Sequence, residues 1–106
     1  MILYNVTVKI DVDTHAEWLG WMKTVHIPDV LSKGLFTECR FMRLLGEDET
    51  DGFTYAFQYV AATMNDYRAY QEQHAPALQA DVKKHFEGKF VSFRTLLHIE
   101  EVFKPN

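Results

Sequence analysis

Positions 2 to 10 alternate strictly, with Ile2, Tyr4, Val6, Val8 and Ile10 set against Leu3, Asn5, Thr7 and Lys9. A period of two over nine residues predicts a strand with one apolar and one mostly polar face. The period then changes. From Thr14 onward Trp18, Met22 and Val25 fall at i, i+4 and i+7, with Leu19 and Trp21 widening the stripe, which predicts an amphipathic helix. Thr14 and Glu17 have the spacing of a capping box. Pro28 disfavours helical angles at Ile27, so the helix is expected to stop near His26, and Gly34 suits the left-handed residue that ends a following short turn.

Phe36 to Leu45 predicts a second strand with apolar groups on both faces, and the acidic run Gly46 to Gly52 predicts a hairpin loop. A third strand follows, with Phe53, Tyr55, Phe57 and Tyr59 on one face and Thr54, Ala56, Gln58 and Val60 on the other. Thr63 or Asn65 can cap a second helix carrying Tyr67, Tyr70, Gln71 and His74. Pro76 removes an N–H inside it, predicting a kink or restart near Ala75. Leu78, Val82 and Phe86 resume the helical spacing, Gly88 ends it, and Phe90 to Phe103 predicts a long last strand.

The order β-α-β-β-α-β is the ferredoxin-like, α+β pattern: a four-stranded antiparallel sheet with both helices on one face, strands one and three in the centre. The other sheet face would be bare in a monomer and has too many apolar groups for that, Leu96 and either Tyr55 or Val60 among them. A homodimer joined through its sheet faces and last strand, the dimeric α/β barrel, would cover them.

Composition sharpens this only at the margins. The 106 residues suit one domain, 1–106, and 47% hydrophobic content excludes a disordered tail. A net charge of −4 argues against a nucleic-acid partner. The lone Cys39 supports no internal disulfide and is expected to be a buried, inert thiol. No apolar run approaches membrane-spanning length, so the expectation is a soluble cytoplasmic protein with no membrane partner.

Candidate chemistry is sparse. Asn5, Thr7, Gln58, Ser92, Arg94 and His98 are assigned to the polar sheet face, where two facing sheets would enclose them. There Arg94 would grip a carboxylate-like ligand, or else pair with a Glu or the facing subunit and only pin the dimer. The ligand-contact candidates are thus Arg94, Asn5 and Gln58, with the indole of Trp21. His26, placed at a helix C-terminus, would have its cationic form favoured by the carbonyl dipoles, useful for proton transfer; the alternative is a simple cap. Tyr70 and His74 at i, i+4 could present a phenol and an imidazole together, or be a helix's half-buried side. The five histidines are dispersed and no phosphate loop or nucleophile elbow occurs, so no metal site and no cofactor is implied.

Three stretches, WLGWMKTVHIPDVL (18–31), YQEQHAPAL (70–78) and FVSFRTLL (90–97), resemble a bacterial single-domain family described as a domain of unknown function. The resemblance implies a ferredoxin-like domain of the dimeric α/β-barrel type and assigns no catalytic residue. More distantly, the architecture is similar to small dimeric barrels that include cofactor-independent monooxygenases, haem-degrading enzymes, isomerases and amino-acid-sensing domains, and fold-level similarity warrants no particular reaction. Two functions follow as expectations: a homodimeric module that binds a small molecule, or a cofactor-independent monooxygenase or isomerase using His26 or His74 for proton transfer.

Overall fold

The computed structural model describes residues 1–106. Strand β1 (Ile2–Asp11) is followed by helix α1 (His15–Trp21), a π-helical segment (Met22–His26) and helix α2 (Ile27–Ser32). Strands β2 (Glu38–Arg43) and β3 (Gly52–Ala61), helices α3 (Met64–Gln73) and α4 (Ala75–Phe86), and strand β4 (Phe90–His98) complete the chain. The strands form one antiparallel sheet in the order β2-β3-β1-β4, with β1 and β3 central as expected.

Register decides which side chains face the helices, because directly paired residues share a face. Tyr4 pairs with Tyr59 and Leu96, and Val8 with Tyr55 and Ser92. The helix-side layer therefore holds Tyr4, Val8 and Ile10 with Tyr55, Phe57 and Tyr59, packed against Trp18, Met22, Val30, Tyr70, Leu78 and Phe86 in one core. β2 adds half-buried Phe41, whose ring stacks on Phe57 at 4.7 Å.

The first helix departs from the expectation. It runs through Pro28, with Ile27 fully helical at φ −61°, ψ −46°. The five-residue π segment explains how: Ile27 N–H bonds back to Met22 O, and the wider turn moves the preceding carbonyls clear of the proline ring. Pro28 itself occupies the first turn of α2, where an α-helix leaves its N–H groups unpaired anyway. At the other end Thr14 makes no cap; its hydroxyl donates to Asp13 Oδ1 instead, 3.1 Å. The remaining punctuation behaves as predicted. Thr63 Oγ1 accepts from Asp66 N at 3.1 Å, α4 restarts at Ala75, and Gly34 takes φ +77°.

Two strand limits shrink. β2 starts at Glu38, leaving Phe36 just before it in the helix-side core, its ring tilted against Tyr59 and Tyr70 (5.2 and 4.7 Å). β4 ends at His98, and the exposed residues beyond it, Val102 and Phe103 among them, have no strand to pair with in a single chain. The last backbone tie is Ile99 N–H to Met1 O, 2.9 Å.

Gly52 marks a close approach that the sequence disguises as a loop end. A Cβ there would lie 2.7 Å from Ile10 O, a backbone atom that cannot swing aside. Gly52→Ala is expected to cost about 1–3 kcal/mol by overpacking β3 against β1. Urea unfolding followed by circular dichroism checks it, and an unchanged midpoint would contradict the contact.

Candidate functional site

Between the helical layer and the sheet lies a cavity of about 70 Å³. Val6, Val8 and Tyr4 of β1 and Phe57 and Tyr59 of β3 floor it; Trp18, Met22, His26 and Tyr70 roof it. Gln79 and Val82 of α4 and Phe90, Ser92 and Arg94 of β4 close the side along the sheet edge. The site is built by the π segment: with Met22 and His26 at its two ends, that segment brings both side chains to the cavity. Such wide turns recur at functional sites because they re-aim side chains a regular helix would send elsewhere.

The cavity corrects the placement of the polar residues. Arg94 is paired with Val6 and Ser92 with Val8, so both face the helices, not the bare side of the sheet. Asn5 pairs with Gln58 and Thr95 and faces the opposite way, where its Nδ2 donates to Thr7 Oγ1 at 3.0 Å. His98 pairs with Ile2 and shares Arg94's side. Asn5 and Gln58 therefore cannot contact one ligand together with Arg94. The sheet itself stands between them.

Arg94 is oriented by Tyr4. Its Nε donates to Tyr4 Oη at 2.9 Å, and no ion pair of the chain includes it. Tyr4 is buried and held among the rings of Phe36, Tyr59, Tyr67 and Tyr70 at 5.2–6.2 Å, so the phenol is a fixed post.

His26 differs from the expectation in state as well as place. It lies inside a continuous helical rod, so the last-turn carbonyls that would favour a cation are not there for it. Burial pushes its pKa below the ordinary 6.5; Asp29 and Asp81 pull the other way, and the Arg94 charge adds to the depression. The imidazole is therefore neutral at pH 7. Its Nδ1 is buried and has no protein partner, and the ring stacks on Trp21 at 5.5 Å. Trp21 is a wall for His26 rather than a lining residue; its other neighbours are His85 and Phe86, 4.7 and 5.4 Å away.

Tyr70 and His74 are separated. Tyr70 is buried in the cavity roof, its phenol raised above its usual pKa by burial. His74 falls at the break between α3 and α4 and opens onto a different groove, with Asp29, Lys33, Gln73, Ala77, Leu78 and Asp81. Along the backbone the i, i+4 relation holds, His74 N–H bonding to Tyr70 O at 2.9 Å, but the two side chains line different pockets. Cys39 is half-buried, and burial pushes its thiol up to about 11, which makes it a poor nucleophile. No group of three or more His, Cys, Asp or Glu is placed to hold a metal, and no helix is long and apolar enough to cross a membrane.

Tyr4, Met22, Ser92 and Gln79 line the site and carried no usable local signal. Tyr4 looked like one more core position, and Ser92 followed Arg94 onto the wrong face. The pattern of β4 points the wrong way, since Val91, Phe93 and Leu97, more apolar than Ser92, Arg94 and His98, turn away from the helices.

His26 has a direct consequence for stability. Its folded pKa lies below the unfolded 6.5, so unfolding takes up a proton between those two pH values. Stability is then level above about pH 6.5 and falls as pH drops through 6.5 toward the folded pKa. His15 is depressed in the same sense, by burial and Arg43, so the wild-type slope is a sum. His26→Phe is expected to flatten the slope between pH 6.5 and 5 while leaving stability at pH 8 equal or higher, since it also removes an unpaired buried nitrogen. Urea midpoints across pH 5–8 give the comparison; identical slopes would show His26 is not desolvated.

A family profile matches residues 1–100, that of Domain of unknown function (DUF4286). The chain belongs to this family. No curated protein sequence matches it. Among solved structures it is similar in fold to a dimeric ferredoxin-like protein from an uncultured marine organism, with 12% identity, TM-score 0.73 and coverage of 99% of this chain and 100% of that one. An uncharacterized NIPSNAP domain protein from Burkholderia xenovorans matches with 15% identity and TM-score 0.64 over 100% of both chains. SnoaB, a cofactor-independent oxygenase from Streptomyces nogalater, matches with 12% identity and TM-score 0.62 over 98% of both. At these identities the likeness shows a ferredoxin-like fold.

Proposed function

We propose that the chain is a homodimeric binding module in which each subunit holds a small molecule between its helices and its sheet, with Arg94 as the anion-gripping residue. The observation that carries this is the convergence of Arg94 and His26 on one cavity where neither is engaged by a carboxylate. A polar atom buried without a partner costs free energy in the unliganded protein, and a ligand that bonds it recovers that cost. The dimer is supported by the other face of the sheet. Val91, Phe93 and Leu97 of β4 are exposed there, as is Met42 on the opposite edge strand, and the ferredoxin-like protein of similar fold is described as dimeric. We read the module as cytoplasmic, where the lone thiol of Cys39 stays reduced.

The test is a thermal-shift screen of small metabolites on wild type, Arg94→Ala and His26→Ala. A ligand at the cavity raises the melting temperature by mass action, and Arg94→Ala is expected to lose the rise while still folding. A rise equal in all three proteins would move the site elsewhere.

A second reading is a cofactor-independent oxygenase or isomerase in which neutral His26 accepts a proton from bound substrate. It is favoured by the same unpartnered Nδ1, since a neutral imidazole on a residue that lines a cavity has a lone pair free to take a proton. It predicts turnover of a bound substrate, oxygen-dependent for an oxygenase and oxygen-independent for an isomerase, abolished by His26→Ala with folding retained. Binding without turnover would leave the module alone standing.

A further inference from the structure

The cavity's charge, size and two polar ends together define a ligand class. Of its lining residues only Arg94 carries a fixed charge; no Asp, Glu or Lys lines it. With Nε committed to Tyr4 Oη, the guanidinium has its two terminal nitrogens left for an end-on, two-bond grip on a carboxylate, which is planar and matches their spacing. A second negative charge would find no second cation, only uncharged groups such as Gln79 and Ser92, and its desolvation would oppose binding. The second polar end is the imidazole of the lining residue His26, neutral at pH 7 and with no protein partner on its Nδ1. A neutral imidazole calls for an uncharged partner, and since either tautomer is open to it, a hydroxyl and a carbonyl oxygen both fit. Size sets the rest. At about 10–15 Å³ for each water-sized position, 70 Å³ is room for roughly five to seven heavy atoms, whereas a benzene-sized guest occupies a cavity of about 150 Å³.

Building on the binding-site reading above, we propose that the cavity takes a short aliphatic monocarboxylate bearing one hydroxyl or oxo group, its carboxylate on Arg94, that oxygen on His26 and its alkyl part against Val6, Met22 and Val82. Tyr4 acts here as a positioning residue: its hydroxyl accepts from Arg94 Nε and aims the fork.

The experiment uses the full chain and five probes: 2-hydroxybutyrate, 2-oxobutyrate, butyrate, benzoate and butylamine. Dissociation constants come from calorimetry, and melting shifts accompany them. At ten times the dissociation constant, 2-hydroxybutyrate or 2-oxobutyrate is expected to raise the melting temperature by roughly 5 °C. Butyrate, lacking the second oxygen, is expected to bind about tenfold more weakly, and butylamine not at all. His26→Phe keeps a ring in place and is expected to erase the tenfold gap between butyrate and its hydroxy form. Arg94→Met is expected to abolish binding of all the acids, and Arg94→Lys, with charge but no fork, to weaken them about tenfold. Tyr4→Phe is expected to weaken the acids while preserving the gap that His26 sets. Circular dichroism confirms that each variant is folded. Tighter binding of benzoate than of any short acid would overturn this ligand class while leaving the cavity a binding site. Acid binding unaffected by Arg94→Met, or a hydroxyl preference that survives His26→Phe, would overturn the assigned contacts. If none of the five probes binds and the metabolite screen also finds nothing, both readings fall together.

Discussion

Trp18→Ala is expected to remove about 3–5 kcal/mol of folding free energy. Trp18 is 0% exposed and meets Phe41, Tyr55 and Phe57 with ring centres 5.3–6.3 Å apart. Its indole joins the α1 end of the helical rod to both β2 and β3, so truncation leaves a hole between two layers that cannot collapse independently. Against a total stability of roughly 5–15 kcal/mol for a domain this size, such a loss leaves the variant partly unfolded near 37 °C. Urea unfolding of Trp18→Ala and Trp18→Phe, read by far-ultraviolet circular dichroism, measures it. A loss below about 1 kcal/mol for the alanine variant would mean the indole is not buried in solution.

The second large effect concerns the outer sheet face. Phe93 is 63% exposed and Val91 69% exposed in the single chain, with Leu97 on the same strand and face. If that face joins two subunits as proposed, Phe93→Arg places a cation into the interface twice, once from each subunit by two-fold symmetry. At about 2 kcal/mol per buried aromatic contact, the two together weaken dimerisation by roughly 10³-fold. Sedimentation velocity at micromolar concentration should show wild-type dimers and Phe93→Arg monomers of unchanged helical content. Monomeric wild type would remove the dimer. It would leave the cavity standing, because the residues of a single chain already form it.

That independence was not legible in the sequence. An enclosed chamber between two facing sheets followed from putting Arg94 with Asn5 and Gln58, and the error was one of phase. Neighbouring positions of β4 differ little in polarity over residues 94–98, so the strand's own pattern does not declare which set faces the helices. Its partner β1 lies some ninety residues away, and only that pairing sets the face: Val6 opposite Arg94, Thr7 opposite Phe93. The apolar set, Val91, Phe93 and Leu97, then points outward. An edge strand that borders a polar-mouthed cavity need not be apolar toward its own helices.

The termination of the first helix failed for a different reason. The bias of a residue before proline is a local preference of modest size, and the packing of Trp18, Met22 and Val30 along one core outweighs it. A single wide turn resolves the conflict, and that turn carries His26 into the cavity.

What the chain determined by itself was the number, order and kind of its elements. Period-two runs at 2–10 and 53–61, helical spacing at 18–25 and 78–86, and breaks at Gly34, Pro76 and Gly88 are properties of neighbouring residues, and steric and hydrophobic preferences act on neighbours directly. The tertiary structure alone decided that Arg94, Tyr4 and His26 meet. Their meeting depends on the register between the first and last strands and on a π turn forced by proline against a packed core, and no short-range preference encodes either one.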